Sequence, residues 1–149
     1  MHTNARISEQ LALLAVLSPQ SVSAGTVVTS YVPMSNAQRL LAVLQTGVLG
    51  ASATVDAKLV QATDSSGTGS KDITGKAITQ IVKASGDNKQ VEIDLRSAEL
   101  DSNNGFGYVA LSITVGTAAS LLSAALYGGP LRNGPASAAN AASVVQVVA

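Results

Sequence analysis

The hydrophobic and polar positions in the middle of the chain alternate with the period of a β-strand. Thr54–Ala62 alternates over its first half, and Val91–Leu95 alternates throughout, with Glu92 and Asp94 between apolar neighbours. Such alternation is typical of an antiparallel strand that buries one face and exposes the other. Both segments are therefore predicted as half-buried strands.

Five further segments favour strands through their content of β-branched, aromatic or apolar residues. Two of them also fit one face of a helix. For Arg39–Val48, the nearby Gly47 and Gly50 favour a strand. For Ala119–Tyr127, the predicted strand that ends just before it, at Gly116, favours a hairpin return. The five segments are Thr26–Val32, Arg39–Val48, Ala77–Lys83, Tyr108–Val115 and Ala119–Tyr127.

Clusters of Gly, Ser, Asn and Asp separate these strands and predict turns. They are Asp64–Ser70, Asp72–Gly75, Ala84–Gln90 and Ser97–Gly107. Short strands joined by such turns indicate a sandwich or a barrel. We predict an all-β fold, an antiparallel β-sandwich of the jelly-roll kind, with a helical or extended N-terminal arm and an extended C-terminal arm.

The N-terminal segment 1–24 admits a first interpretation as a secretory signal. Arg6, the apolar run Leu11–Leu17 and the small residues Ser23 and Ala24 imitate such a signal. Against it, Glu9 lies beside an apolar run of minimal length.

The interpretation that we favour for the same segment is a short amphipathic helix. Ser8 would cap it, Leu11, Leu14 and Ala15 would form its apolar stripe, and Pro19 would follow its end. Because so short a helix is marginal alone, we expect it to dock on its own domain or on another subunit.

The C-terminal residues 128–142 are rich in Gly, Pro and Ala, which indicates an extended arm. The apolar tail Ser143–Val148 resembles a strand that adds to a sheet edge, on its own subunit or on a neighbour. The predicted organisation is an N-terminal arm (1–24), a β-sandwich domain (25–127) and a C-terminal arm (128–149). The residues predicted to make assembly contacts are Leu11, Leu14, Leu17, Val144, Val145 and Val147.

The charge composition narrows the choice of partners. Nine Lys and Arg balance nine Asp and Glu, and charged residues make up 12% of the chain, against roughly 25% in an average globular protein. The basic residues are spaced singly, whereas phosphate binding needs clusters, so no nucleic acid is expected. No apolar run reaches the length of a membrane span, so no membrane is expected either. Few charges favour a protein whose surface is covered by neighbours.

The residues that could carry chemistry do not form a catalytic set. His2 is the single histidine and cysteine is absent, so neither a Ser-His-Asp or Cys-His arrangement nor a zinc site can be assembled. Glu92 and Asp94 would project from one face of a strand, as paired acid–base groups do. A solvated sheet face explains them better, because a catalytic pair needs an apolar pocket and no aromatic residue lies nearby in the sequence. We expect no catalytic residue, no metal and no cofactor.

Two loops share part of a ligand-binding pattern. Asp101–Gly105 begins like a calcium loop, but Ser112 stands where the bidentate Glu is required. The loop with Gly67 and Gly69 lacks the Lys-Ser/Thr pair of a phosphate loop and leads into a strand rather than a helix. Both are predicted as turns.

Two runs of sequence carry a resemblance to a known class of proteins. They are TVDAKLVQATDSSG, followed by KDITGKAITQI, and VEIDLR, followed by YVALSITVG. Over about residues 26–136 the chain resembles the small virion structural proteins of tailed bacteriophages, of the kind encoded near the major capsid protein.

This resemblance implies a β-sandwich that decorates or cements the capsid shell, as a homotrimer at sites where capsomers meet. Its partners would be the major capsid protein and further copies of itself. Its location would be the capsid surface of the virion, after assembly in the host cytoplasm. The resemblance transfers no catalytic residue and no cofactor.

Two other functions remain open at this stage. One is a head–tail connector or tail component of the same kind of particle. The other is a carbohydrate-binding sandwich used for adhesion, for which Phe106 in the 97–107 loop is the candidate stacking aromatic.

Overall fold

A computed structural model describes residues 4–148, so the hypothesis about His2 lies outside the described residues. Two four-residue helices are present, α1 at Ile7–Gln10 and α2 at Lys83–Gly86, with 3-10 turns at Ser97–Glu99, Ser102–Asn104 and Ala136–Ala139. Strands make up most of the rest. In chain order they are β1 Ala12–Val22, β2 Gly25–Val28, β3 Val32–Pro33, β4 Ala37–Thr46, β5 Thr54–Ala62, β6 Lys71–Ala77, β7 Ile81–Val82, β8 Gln90–Arg96, β9 Tyr108–Gly116 and β10 Ser120–Leu131.

The strands form two antiparallel sheets. The first sheet has the order β1-β10-β4-β8, and the second has the order β2-β9-β5-β6, with β3 also on β9 and β7 also on β5. The pairs β1·β10, β2·β9, β4·β8 and β5·β6 are those of one long hairpin folded across itself. This is the topology of a jelly roll. The predicted all-β antiparallel sandwich is therefore confirmed.

The core lies between the two sheets. Leu40 and Leu126 come from the first sheet, and Leu59, Leu111 and Ile113 come from the second; each is at most 1% exposed. Full burial of one such side chain contributes roughly 1.5–3 kcal/mol. The alternation that predicted β5 and β8 likewise places Val55 and Leu59 of β5 and Leu95 of β8 in this core.

The N-terminal segment differs from the predicted amphipathic helix. The helix is limited to Ile7–Gln10, and Ala12–Val22 continue as β1 along β10. In the strand these residues gain main-chain hydrogen bonds from β10 and also pack leucines against the core. Pro19 is accommodated because β1 is an edge strand whose register is irregular between Leu17 and Gln20.

The predicted turn Asp72–Gly75 and the strand after it are wrong in position. The chain continues through β6, and Gly75 adopts a φ of +76° inside the strand. Glycine accepts this conformation at little steric cost, so the strand bulges instead of turning. The predicted strand Ala77–Lys83 is broken, since Ala77 ends β6, Ile81–Val82 form β7 and Lys83 belongs to α2.

At the other end, β10 is longer than predicted and runs to Leu131. Residues 128–131 therefore belong to the first sheet, although the composition placed them in the C-terminal arm. A Cβ at Gly128 would meet the end of the Leu14 side chain, so a larger residue there requires Leu14 to shift.

Candidate assembly surfaces

The C-terminal segment returns to the beginning of the chain and binds the edge of β1. The 3-10 turn Ala136–Ala139 lies against α1 and β1, and Ala136 is only 1% exposed. The N–H of Leu13 donates to Oδ1 of Asn140 at 2.9 Å, and the N–H of Ala141 donates to the Leu13 carbonyl at 2.7 Å. The two segments predicted as arms thus meet at one place on the first sheet.

The remainder of β1 is an edge. Within residues 4–148, β10 is the single strand that pairs with β1. An edge strand presents main-chain N–H and C=O groups that can accept a further strand. Pro19 and the irregular register blunt this edge in its second half.

Beyond Ala141 the tail is exposed except at Val144. A turn closes with the N–H of Val144 donating to the Ala141 carbonyl at 3.0 Å. Residues 145–148 follow without regular secondary structure, so the strand predicted for Ser143–Val148 is not formed within this chain. The exposed fractions are 96% for Val145, 44% for Val147 and 85% for Val148.

The outer face of the first sheet is apolar where it crosses β1, β10 and β4. It holds a shallow concavity of about 410 Å³, which we call the outer groove, and none of the residues that line it is charged. Ser143 lies at its rim, immediately before the exposed valines. The apolar side chains that line the outer groove include Leu13, Val16, Val43, Ala125 and Tyr127.

The predicted assembly residues separate into two groups. Leu14 and Leu17 pack against the core of their own domain, and Leu11 is half-buried between α1 and β1. Of the predicted valines, Val144 is half-buried, whereas Val145 and Val147 are exposed.

Sequence reasoning missed Val148 and the whole outer groove. The available signal was the unbroken apolar character of Leu40–Leu44 in β4, where alternate residues face outward. Strands that are apolar on both sides are typical of sheets covered on both faces. The same apolar run made Arg39–Val48 ambiguous between a helix and a strand in the sequence.

A charged cleft of about 390 Å³ lies at the far edge of the same outer face. It is lined by Arg39 of β4, Asp94 and Arg96 of β8, and the Lys76–Glu99 ion pair, whose N···O distance is 3.1 Å. A hydrogen bond from the Arg96 N–H and a second from Lys76 lower the pKa of Glu99. Glu92 and Asp94 are exposed on this face, as predicted.

The loop Asp101–Gly105, which begins like a calcium loop, is held by internal contacts. Asp101 binds the Lys71 ammonium and accepts from the Asn104 amide, and these contacts, that of Lys71 first, lower its pKa. The Lys71 ammonium also lies 4.1 Å from the centre of the half-buried Phe106 ring. Within the described part of the chain no group of three or more His, Cys, Asp or Glu residues is arranged to hold a metal ion.

A search of residues 4–148 for a helix long and apolar enough to cross a membrane finds none.

Comparison with known proteins adds two similarities of structure. No known family model and no curated protein matches the chain. A chain from the cowpea mosaic virus top component, the naturally occurring empty particles, is similar with a TM-score of 0.45 and 11% identity, over 83% of this chain and 86% of that one. A chain from the disulfide-linked pili of Bacillus endospore appendages is similar with a TM-score of 0.32 and 15% identity, over 87% of this chain and 98% of that one. Because both TM-scores are below 0.5, neither similarity assigns a function to this protein.

Proposed function

We propose that this protein is a non-enzymatic structural subunit of a particle shell. More specifically, we propose a decoration or cement protein on the capsid surface of a tailed bacteriophage, bound to the major capsid protein and to copies of itself as a homotrimer. The observation that carries the proposal is the exposed, uncharged valine tail that begins at the rim of the uncharged outer groove. The resemblance in sequence supports the finer assignment to phage capsids.

The exposed valines favour a binding partner on energetic grounds. Burial of apolar surface contributes roughly 25 cal/mol per Å², or about 0.8 kcal/mol for each CH₂ group. Val145 and Val148 are 96% and 85% exposed, so nearly all of that contribution is still available to an interface. In a symmetric shell the same contact is repeated at every subunit, so modest local contributions give a stable assembly.

The fold alone does not choose this function, because jelly rolls occur in capsid proteins, lectins and cupins. The carbohydrate-binding alternative depends on an accessible aromatic ring. Phe106 is half-buried, and the Lys71 ammonium covers it at 4.1 Å, so its ring offers little free surface for stacking on a sugar. This contact favours the assembly function over adhesion.

The experiment is an add-back assay on particles made without this protein. Purified wild-type protein and the triple variant Val145→Ser, Val147→Ser, Val148→Ser are added to such particles, and bound copies are measured by densitometry. The matched control is Val28→Ser with Val82→Ser, two valines that are 46% and 41% exposed on the sandwich itself.

We expect the wild type and the control to bind many copies to each shell, and the tail variant to bind at least about tenfold more weakly, since each buried valine contributes roughly 1.5–3 kcal/mol. Equal binding by the tail variant would contradict the proposal. Copies confined to a single ring at one vertex would indicate a head–tail connector instead.

A further inference from the structure

Arg39 and Arg96 lie directly opposite each other on neighbouring strands. The β4·β8 register pairs these two residues, and both side chains are exposed on the outer face of the first sheet. Like charges in this position destabilise a sheet. Two of the nine Lys and Arg residues therefore stand where their mutual repulsion lowers the stability of the sheet.

Neither arginine side chain forms a close ion pair within the described residues, although the charge of Arg96 acts on the nearby Glu99 carboxylate and helps to lower its pKa. The four ion pairs found between residues 4 and 148 all use lysines, namely Lys58, Lys71, Lys76 and Lys83. In the charged cleft, the Lys76 ammonium is already bound to Glu99. Two exposed arginines without a close ion pair thus line the wall of a cleft of about 390 Å³.

An apolar groove continues directly from Arg39. Its volume is about 440 Å³, and it shares Arg39 and Asp94 with the charged cleft. Ile7, Leu41 and Tyr127 are among its lining residues, and Ile7 is 74% exposed. The surface therefore offers a cationic position and an apolar position side by side.

We infer that this surface binds a segment of a partner protein in which an acidic side chain stands next to an apolar one. The carboxylate accepts hydrogen bonds from Arg39 and Arg96, whose planar guanidinium groups match carboxylate geometry. The apolar side chain enters the groove beside Leu41 and Tyr127. The inference deepens the proposed function by naming the chemistry of the partner, but it uses none of the valines that carry that proposal.

The charges of the cleft select a carboxylate over a nucleic acid. Three cations (Arg39, Lys76 and Arg96) and two carboxylates (Asp94 and Glu99) line it, which leaves one positive charge. One carboxylate neutralises that charge. A chain of phosphates would bring several negative charges close to Asp94 and Glu99, and it needs a larger cluster of cations for binding.

The test measures binding of short peptides to the full chain by NMR, through the amide signals of residues 39–41 and 94–96. The probe is acetyl-Leu-Glu-Leu-Glu-amide, and its matched control is acetyl-Leu-Gln-Leu-Gln-amide. An oligothymidylate tests the nucleic-acid alternative. The variants are R39Q/R96Q and R39K/R96K, with R132Q as the control for loss of an exposed arginine elsewhere.

We expect the acidic peptide to bind about tenfold or more tightly than the Gln peptide, because hydrogen bonds to a charged group are the stronger ones. R39Q/R96Q should lose this difference, R39K/R96K should reduce it because Lys lacks the planar fork, and R132Q should keep it. Equal binding of the two peptides, tighter binding of the oligothymidylate, the absence of saturable binding, or full binding by R39K/R96K would overturn the inference. If R39Q/R96Q fails to fold, the comparison of R39K/R96K with the wild type decides between these outcomes. This result does not depend on the result for the valine tail, which is measured in a separate assay.

Discussion

The backbone N–H of Leu13 donates a hydrogen bond to Oδ1 of Asn140, 127 residues further along the chain, at 2.9 Å. Together with the bond from the Ala141 N–H to the Leu13 carbonyl, it holds the C-terminal segment against β1. The C-terminal segment thereby occupies the first part of the β1 edge, and the exposed valines start from a fixed point.

Asn140→Ala should weaken the attachment of the C-terminal segment to β1. A hydrogen bond of this kind contributes about 1 kcal/mol, so we expect the free energy of unfolding to fall by about that amount. Hydrogen exchange at the Leu13 amide should also become faster. Asn103→Ala, at an exposed position in the loop before β9, is the control. An unchanged exchange rate at Leu13 would show that Asn140 does not hold the segment.

Thr29→Val should destabilise the second sheet at the gap between β2 and β3. Thr29 is 6% exposed, its N–H donates to the Leu111 carbonyl, and its hydroxyl accepts from the Leu111 N–H, both at 3.0 Å. Valine keeps the shape of the side chain but leaves the Leu111 N–H without an acceptor, at a cost of about 1–3 kcal/mol.

Urea unfolding measures this cost. The control is Thr26→Val, where the Thr26 hydroxyl bonds to the Thr114 hydroxyl at an exposed position. We expect its effect to stay within about 0.5 kcal/mol, as for most surface substitutions. Equal effects at the two positions would contradict the role given to the Thr29 hydroxyl.

Thr29 also shows why some strand boundaries escaped prediction. The run Thr26–Val32 is rich in β-forming residues, and none of them indicates where the strand breaks. The break depends on the Thr29 hydroxyl, which accepts from the N–H of Leu111, a residue far along the chain. By contrast, β5 was predicted with its observed bounds, Thr54–Ala62, because its signal is the alternation of its own residues. Local pattern specifies local conformation and leaves the partners undetermined.

The N-terminal strand was missed for the same reason. Leu11, Leu14 and Ala15 fit a helical stripe, and only the presence of β10 alongside makes the extended form better. The apolar character of the tail was visible in the sequence. The outer groove was not, since it requires knowing that β1, β10 and β4 are neighbours. The opposition of Arg39 and Arg96 likewise depends on the register of β4 and β8.

Gly67→Ala should destabilise the protein much more than Gly69→Ala, although both glycines have positive φ angles, +83° and +65°. The Cβ added at Gly67 would lie 2.6 Å from the Tyr31 ring, whereas at Gly69 the nearest neighbour is the Phe106 ring at 3.9 Å. Backbone strain of roughly 1–2 kcal/mol is common to both variants, and the clash adds to it at position 67 alone.

Thermal unfolding of the two variants provides the comparison. Removal of the ring in the double variant Gly67→Ala, Tyr31→Ala should bring the further effect of the Gly67 substitution close to that of Gly69→Ala. If Gly67→Ala and Gly69→Ala had equal effects, the close approach of the loop to Tyr31 would be energetically unimportant.

Asp87 should make the stability of the protein fall in acid. Its carboxylate binds the Lys83 ammonium at 2.6 Å and accepts from the Leu49 N–H at 2.9 Å, and these contacts, that of Lys83 first, lower its pKa from the ordinary value of 3.8. Because the folded-state pKa is the lower one, this contribution to stability is complete above the unfolded-state value and is lost as the pH falls through the folded-state value.

Urea unfolding at a series of pH values between neutrality and the acid range would measure this contribution. Asp87→Asn should be less stable than the wild type at neutral pH, and its stability should fall less steeply below about pH 4, so that the two curves converge in acid. Glu92→Gln removes an exposed carboxylate from the outer face of β8 and serves as the control for the change in net charge. Parallel curves for Asp87→Asn and the wild type would show that the bonds to Lys83 and Leu49 do not link folding to pH.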